Sequence, residues 1–135
     1  MIKFSTMERP THAGLRHLAL NVRDLPAMKR FYVELLGFAV EWEPDPDNVY
    51  LSSGIDNLAL HKAAKEVEGG ALDHLGLIVR EADDVDRWAA FLGGNGVAMS
   101  AQPKTHRDGA RSCYFKDPDG NSVQVIHHPP VSHKV

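Results

Sequence analysis

The chain has 135 residues, a hydrophobic fraction of 43% and a formal net charge of −3. That is enough apolar material for one compact domain, or for two small units sharing a core. Charges of both signs are mixed along it, which speaks against a nucleic-acid surface or a polybasic membrane patch. No apolar run approaches the roughly 20 residues needed to cross a bilayer, and MIKFSTMERPTHAG lacks the long apolar stretch of a secretory signal. A single cysteine, Cys113, cannot form an internal disulfide, so a reducing cytoplasm is the expected location.

In chain order, the first predicted strand lies near 16–22 and carries HLALNVRDL at His17–Leu25. A helix follows, with Asp24 as N-cap, Pro26 in the first turn, Met28, Phe31 and Leu35 as the buried stripe, and Gly37 as the stop. Strands are predicted near 38–43, 48–53 and 57–62, the first two separated by EPDPDN. KAAKEVEGGA at Lys62–Ala71 is polar, ends in Gly-Gly and reads as a linker. The next strand, near 73–79, carries HLGLIVREA at His74–Ala82. Its helix has Val85, Trp88 and Leu92 as stripe and Gly93-Gly94 as stop. Strands near 96–100, 110–116 and 121–127 follow, the last two flanking DPDGN, and the tail after Pro129 is expected to fray.

The two halves repeat. His17 and His74 stand 57 positions apart, and the same shift pairs Arg23 with Arg80, Phe31 with Trp88, Leu35 with Leu92 and Gly37 with Gly94 without a gap. The chain therefore reads as one domain made of two βαβββ modules, about 15–62 and 73–127, by internal duplication.

Strand alternation assigns faces. Leu18, Leu20 and Val22 form the face that the helix must cover, so His17, Ala19 and Asn21 point away. By the same rule Asn57, Ala59, His61, His74, Gly76, Ser112, Tyr114 and Gln124 lie on the open face, while Cys113 and Phe115 go to the core. An open face short of charge, rich in imidazole, amide and phenol groups and opened by small residues, has the composition of a concave site. His17 and His74 are equivalent positions, so a pseudo-twofold axis can bring both imidazoles to one ion, such as Zn, Ni, Fe, Cu or Mn.

The paired modules, HLALNVRDLPAMKRFYVELLGF and YFKDPDGNSVQVI together resemble the vicinal oxygen chelate superfamily, over about Leu15–Ile126. That superfamily includes glyoxalase I, extradiol dioxygenases, fosfomycin-resistance thiol transferases and bleomycin-binding proteins. The resemblance implies an α+β fold in which the modules form a curved mixed β-sheet cup with helices outside. It also implies one divalent metal ion, with His17, His74 and Gln124 at ligand positions. Gln124 stands where most metal-binding members carry Glu, and Ala59 stands at the fourth ligand position, so two carboxylates are missing. A carboxylate base of the glyoxalase kind is thus absent from both positions. His61, two residues beyond Ala59, is a candidate third imidazole, base or pocket-lining donor. Tyr114 is a candidate donor to a bound oxyanion, or an aromatic wall. In KTHRDGAR, His106, Arg107 and Arg111 either close over an anionic ligand or form a solvated loop.

The resemblance implies a metal-dependent enzyme acting on a small substrate with vicinal oxygens, of the glyoxalase, dioxygenase or thiol-transferase type. The alternative is a non-catalytic drug-binding protein of the bleomycin-resistance type. A small-molecule substrate and a homodimer are the expected partners, with units exchanged or sites near the interface, and neither nucleic acid nor membrane is expected.

Overall fold

The computed structural model of the protein describes residues 7–9, 15–64, 72 and 74–135. β1 (His17–Val22), β2 (Ala39–Asp45), β3 (Asn48–Ser52) and β4 (Asn57–Lys62) form one four-stranded sheet in the order β1-β4-β3-β2. β5 (Leu75–Ile78), β6 (Met99–Thr105), β7 (Arg111–Lys116) and β8 (Ser122–His127) form a second, in the order β5-β8-β7-β6. Each sheet is mixed: the first strand runs parallel to the last, and the other pairs are antiparallel. The duplication read from the sequence is thus two copies of one strand order. Among the described residues the two sheets remain separate, so β1 and β5 are both edge strands.

α1 (Leu25–Arg30) starts as the sequence dictates: the Asp24 carboxylate accepts from the Ala27 backbone N–H at 3.0 Å. It widens into a π-helical turn over Phe31–Leu35, with the Leu36 N–H reaching back to the Phe31 carbonyl, and ends at Gly37 with φ 81°. α2 (Ala82–Gly94) runs through Gly93 and Gly94 instead of stopping there. The left-handed residue that turns the chain is Gly96, with φ 82°. The structural repeat therefore slips by two residues at the helix stop, which delays β6 to Met99 where the expected strand began near 96.

β2 and β6 also run longer than expected, to Asp45 and Thr105, through Pro44 and Pro103. Both are outer strands with register shifts against their partners, a setting in which a missing N–H is tolerated. The tail does not simply fray: α3 (Pro129–Ser132) is a short helical turn in which Ser132 is buried and its hydroxyl accepts from the His128 N–H at 3.0 Å. Of the expected linker, Lys62 ends β4, while residues 65–71 lie outside the described residues.

The alternation holds for the core faces, while Ala59, Ser112 and Gln124, expected on the open face, are buried as well. Leu20, Val22, Val49, Leu51, Leu58, Leu60, Cys113, Phe115, Val123 and Val125 are buried and form one apolar cluster with Met28, Tyr32, Val85 and Leu92. Leu75 and Leu77 of the edge strand β5 are only half-buried. The modules meet through aromatic and polar contacts: Phe31 lies 6.2 Å from Phe115, and the Tyr32 hydroxyl donates to Asp117 at 2.9 Å. Asp117 also accepts from the backbone N–H groups of Asp119 and Asn121 and from the Asn121 side chain, which fixes the DPDGN turn. Asp119 in turn accepts from the Arg23 backbone N–H at 3.1 and 3.2 Å.

Burial, then the Asp117 charge, holds the Tyr32 phenol well above its ordinary value of 10.0. A raised folded-state value means that the contribution is intact below the unfolded phenol's value and is lost as pH rises beyond it. Stability should therefore fall above about pH 10, with Tyr32 ionising only on unfolding, as ultraviolet phenolate absorbance beside circular dichroism will show. Tyr32→Phe should cost about 1.5–3 kcal/mol in urea unfolding, because it removes a buried bond to a charged group, and should abolish the Tyr32-linked part of the alkaline loss.

Candidate functional site

The open face of the first sheet is organised by two asparagines. Asn57 stands in register with His17 across the parallel β1–β4 pair, and its Oδ1 lies 2.8 Å from His17 Nδ1. Its amide nitrogen donates to Glu41 on β2 at 3.3 Å. Asn48 stands opposite His61 across β3–β4, with Oδ1 2.6 Å from His61 Nδ1, and donates to both oxygens of Asp45 at 2.9 and 3.1 Å. Tyr50 lies edge-on to His61 at 5.8 Å and stacks with the exposed Trp42 at 5.2 Å.

On the second sheet Tyr114 and Gln124 are register partners, and the Gln124 amide nitrogen donates to the Tyr114 phenolic oxygen at 2.8 Å. The phenol's own hydrogen is thereby left to donate elsewhere. His74 lies edge-on to Tyr114 at 5.5 Å. Gly76 is the β8 register partner of Gln124, and a Cβ there would lie 3.7 Å from Gln124 Oε1. The missing side chain leaves the space beside that amide oxygen unfilled, although Gln124 itself is only 8% exposed.

The predicted site residues thus fall into three groups. His74, Tyr114 and Gln124 cluster on the second sheet. His17 stands with Asn57 on the first. His61 shares that face but sits four residues beyond Asn57, roughly 13 Å along the strand at ~3.3 Å per residue. The first two groups approach each other at the outer edges of the sheets: a groove of about 330 Å³ between β1 and β5 is lined by both His17 and His74, with Leu18, Leu58, Leu75 and Leu77. Ala59, expected to open space on this face, is fully buried; its β3 partner is the aromatic Tyr50.

A second cleft, of about 830 Å³, is lined by Lys104, His106, Arg107, Tyr114 and Gln124 among others. His106 is turned inward by Ser112, 2.8 Å from its Nε2. Arg111 does not line this cleft. It shares the face of Cys113 and Phe115, and its guanidinium grips Asp86 of α2 at 2.7 and 2.8 Å. Cys113 is buried, and burial pushes its thiol up, in keeping with a packing role.

Sequence reasoning missed Glu41, Asp45 and Asn48. Asp45 and Asn48 read as turn residues in EPDPDN, although the strand pairing sets Asn48 opposite His61. Glu41 lies between the Val40 and Trp42 pairings, where the register of β2 shifts and simple alternation fails.

Among the described residues no three His, Cys, Asp or Glu side chains converge in metal-binding geometry. His17, His74 and the Gln124 amide oxygen would together form a neutral donor set, which suits borderline cations such as Zn or Ni.

Residues 14–125 match the Glyoxalase/Bleomycin resistance protein/Dioxygenase superfamily. Similar solved structures include lactoylglutathione lyase from Agrobacterium tumefaciens, at 21% identity and a TM-score of 0.74, covering 87% of this chain and 96% of that one. An integron cassette protein from the mobile metagenome of the Halifax Harbour sewage outfall gives 23% identity and a TM-score of 0.75, covering 87% and 100%. A superfamily member from Sphaerobacter thermophilus DSM 20745 gives 25% identity and a TM-score of 0.68, covering 87% and 98%. The two paired βαβββ modules and the match over most of the chain lead to one conclusion: the protein belongs to the Glyoxalase/Bleomycin resistance protein/Dioxygenase superfamily.

Proposed function

We propose that the protein is a metal-dependent enzyme of this superfamily, which binds one divalent ion through His17, His74 and Gln124 and acts on a small substrate with neighbouring oxygens. The observation that carries this reading is the second-sheet cluster, in which Gln124 binds Tyr114 through its nitrogen and holds its oxygen beside Gly76, with His74 edge-on to Tyr114. When bound, the ion supplies Lewis acidity to a chelating oxygen pair. The chain supplies the rest. Tyr114 donates its phenolic hydrogen to a developing oxyanion. His61, distant from His17 along β4, serves as a proton acceptor rather than a ligand. Lys104 and Arg107, set against the single acid Asp108, give the adjoining cleft a positive balance that favours a substrate carrying negative charge.

The reading includes a homodimer. β1 and β5 each pair on one side only, and Leu15, Leu72 and Ile78 near them are exposed. Edge strands with apolar neighbours call for a cover, and a second copy supplies it if β1 of one protomer meets β5 of the other. Sites would then combine His17 of one copy with His74 and Gln124 of the next, in place of the groove that His17 and His74 line together within one chain. One feature favours the alternative, a drug-binding groove: the exposed Trp42–Tyr50 stack offers a flat ligand an aromatic platform on the same sheet as His17.

Titration of metal-free protein with Zn, Ni, Mn and Fe(II) tests the reading. Wild type should bind one ion per site, and His17→Ala or His74→Ala should abolish binding. Gln124→Glu should tighten it, since an anion replaces a neutral donor, and the gain should vanish as pH falls through the carboxylate's value near 4. Equal binding by wild type and His17→Ala would overturn the metal site and leave the groove reading.

Mixing separately purified His17→Ala and His74→Ala proteins tests the dimer. Exchanged protomers would recreate one intact site of two in each mixed dimer, so with random exchange metal binding should return to about a quarter of the wild-type level. Sites confined to single chains would stay silent after mixing.

A further inference from the structure

Both imidazoles on the first sheet end a chain of the same design, carboxylate to asparagine to histidine. Glu41 reaches Asn57, which reaches His17; Asp45 reaches Asn48, which reaches His61. The chemistry of the first link fixes the last. An ionised carboxylate only accepts hydrogen bonds, so each asparagine must turn its NH₂ toward the acid and its oxygen toward the imidazole. An amide oxygen also only accepts. The imidazole nitrogen facing it, Nδ1 in both cases, must therefore carry the hydrogen, and the Nε2 lone pair is left bare. An asparagine alone would not achieve this, because its amide can turn around; the acid removes that freedom.

We propose that Glu41 with Asn57, and Asp45 with Asn48, are positioning residues that lock His17 and His61 in the Nδ1–H tautomer, so that each presents a bare Nε2. For His17 the assignment builds on the metal reading above: a bare Nε2 is the form that can ligate an ion, and an outer partner on Nδ1 also fixes the ring plane. For His61 the same lock leaves a nitrogen that can take a proton but has none to give while neutral. The two chains do not depend on each other, since they start from different acids and end on imidazoles four positions apart in register.

Nitrogen-15 NMR of the imidazoles in metal-free, full-length protein reads the tautomers directly. In wild type at a pH where both rings are neutral, His17 and His61 should show protonated Nδ1 and bare Nε2. Glu41→Gln changes one exposed group with little change in shape, and should release Asn57 and let His17 mix tautomers while His61 stays locked. Asp45→Asn should do the converse. Asn57→Asp keeps an acceptor against Nδ1 and should keep the lock. In the zinc titration, Glu41→Gln should weaken binding about 10–100-fold, the range found when outer partners of ligating histidines are removed. A protonated Nε2 on His17 in wild type would overturn the proposal. So would an unchanged His17 tautomer in both Glu41→Gln and Asn57→Leu, or an unmoved zinc affinity where wild type binds. A locked His17 in a protein that binds no metal at all would instead support the positioning chain and overturn the metal reading.

Discussion

The Tyr32–Asp117 hydrogen bond is the joint on which the arrangement of the two modules rests. Tyr32 is fully buried and Asp117 is 4% exposed, so neither group can exchange its partner for water. A buried carboxylate is costly unless it is hydrogen-bonded on several sides. Asp117 satisfies that condition with Tyr32 from the first module and with Asp119 and Asn121 from its own turn. The same turn reaches back through Asp119 to the Arg23 backbone, at the junction of β1 and α1. The start of the first helix is thus held to the hairpin of β7 and β8. That hairpin carries Tyr114 and Gln124, so a bond remote from the open face sets where the second-sheet donors stand.

The joint also shows how far the two modules have diverged. Tyr32 corresponds to Ala89 in the second helix, and the first module's equivalent turn has SSGIDN where the second has KDPDGN. Only one of the two possible inter-module joints is therefore built from a buried tyrosine and a turn aspartate. The helices follow suit. The first widens into a π-turn around the Tyr32 and Phe31 anchors, and the second runs two residues longer to its left-handed glycine. Equivalent strands keep equivalent pairing despite this, because pairing is set by the strands' own alternation.

On the open faces, charge is kept one step back from the donors. On the first sheet, Glu41 and Asp45 reach His17 and His61 through asparagines rather than directly. The second sheet substitutes an amide–phenol pair for a carboxylate. In the proposed metal site, a neutral donor set would hold a cation less tightly than an anionic one and would leave its charge less compensated. Lys104 and Arg107 line the adjoining cleft together with Asp108.

The sequence by itself determined the local and repetitive features. Alternation in HLALNV and HLGLIV told covered faces from open ones, Asp24 and Gly37 bounded the first helix, and the repeat of 57 residues established two like modules. These are legible because each depends on neighbours within a few positions, or on a pattern stated twice. Tertiary structure alone decided what joins distant segments. It set Tyr32 on Asp117, turned Arg111 to Asp86 and away from the cleft, and brought Glu41 behind His17 across three strands. Register shifts in β2 break the alternation that would have revealed Glu41, and the role of Asn48 depends on which strand lies opposite it. Side-chain type is written in the chain, but the partner that fixes an imidazole's tautomer is chosen by strand order, and strand order is a property of the whole fold.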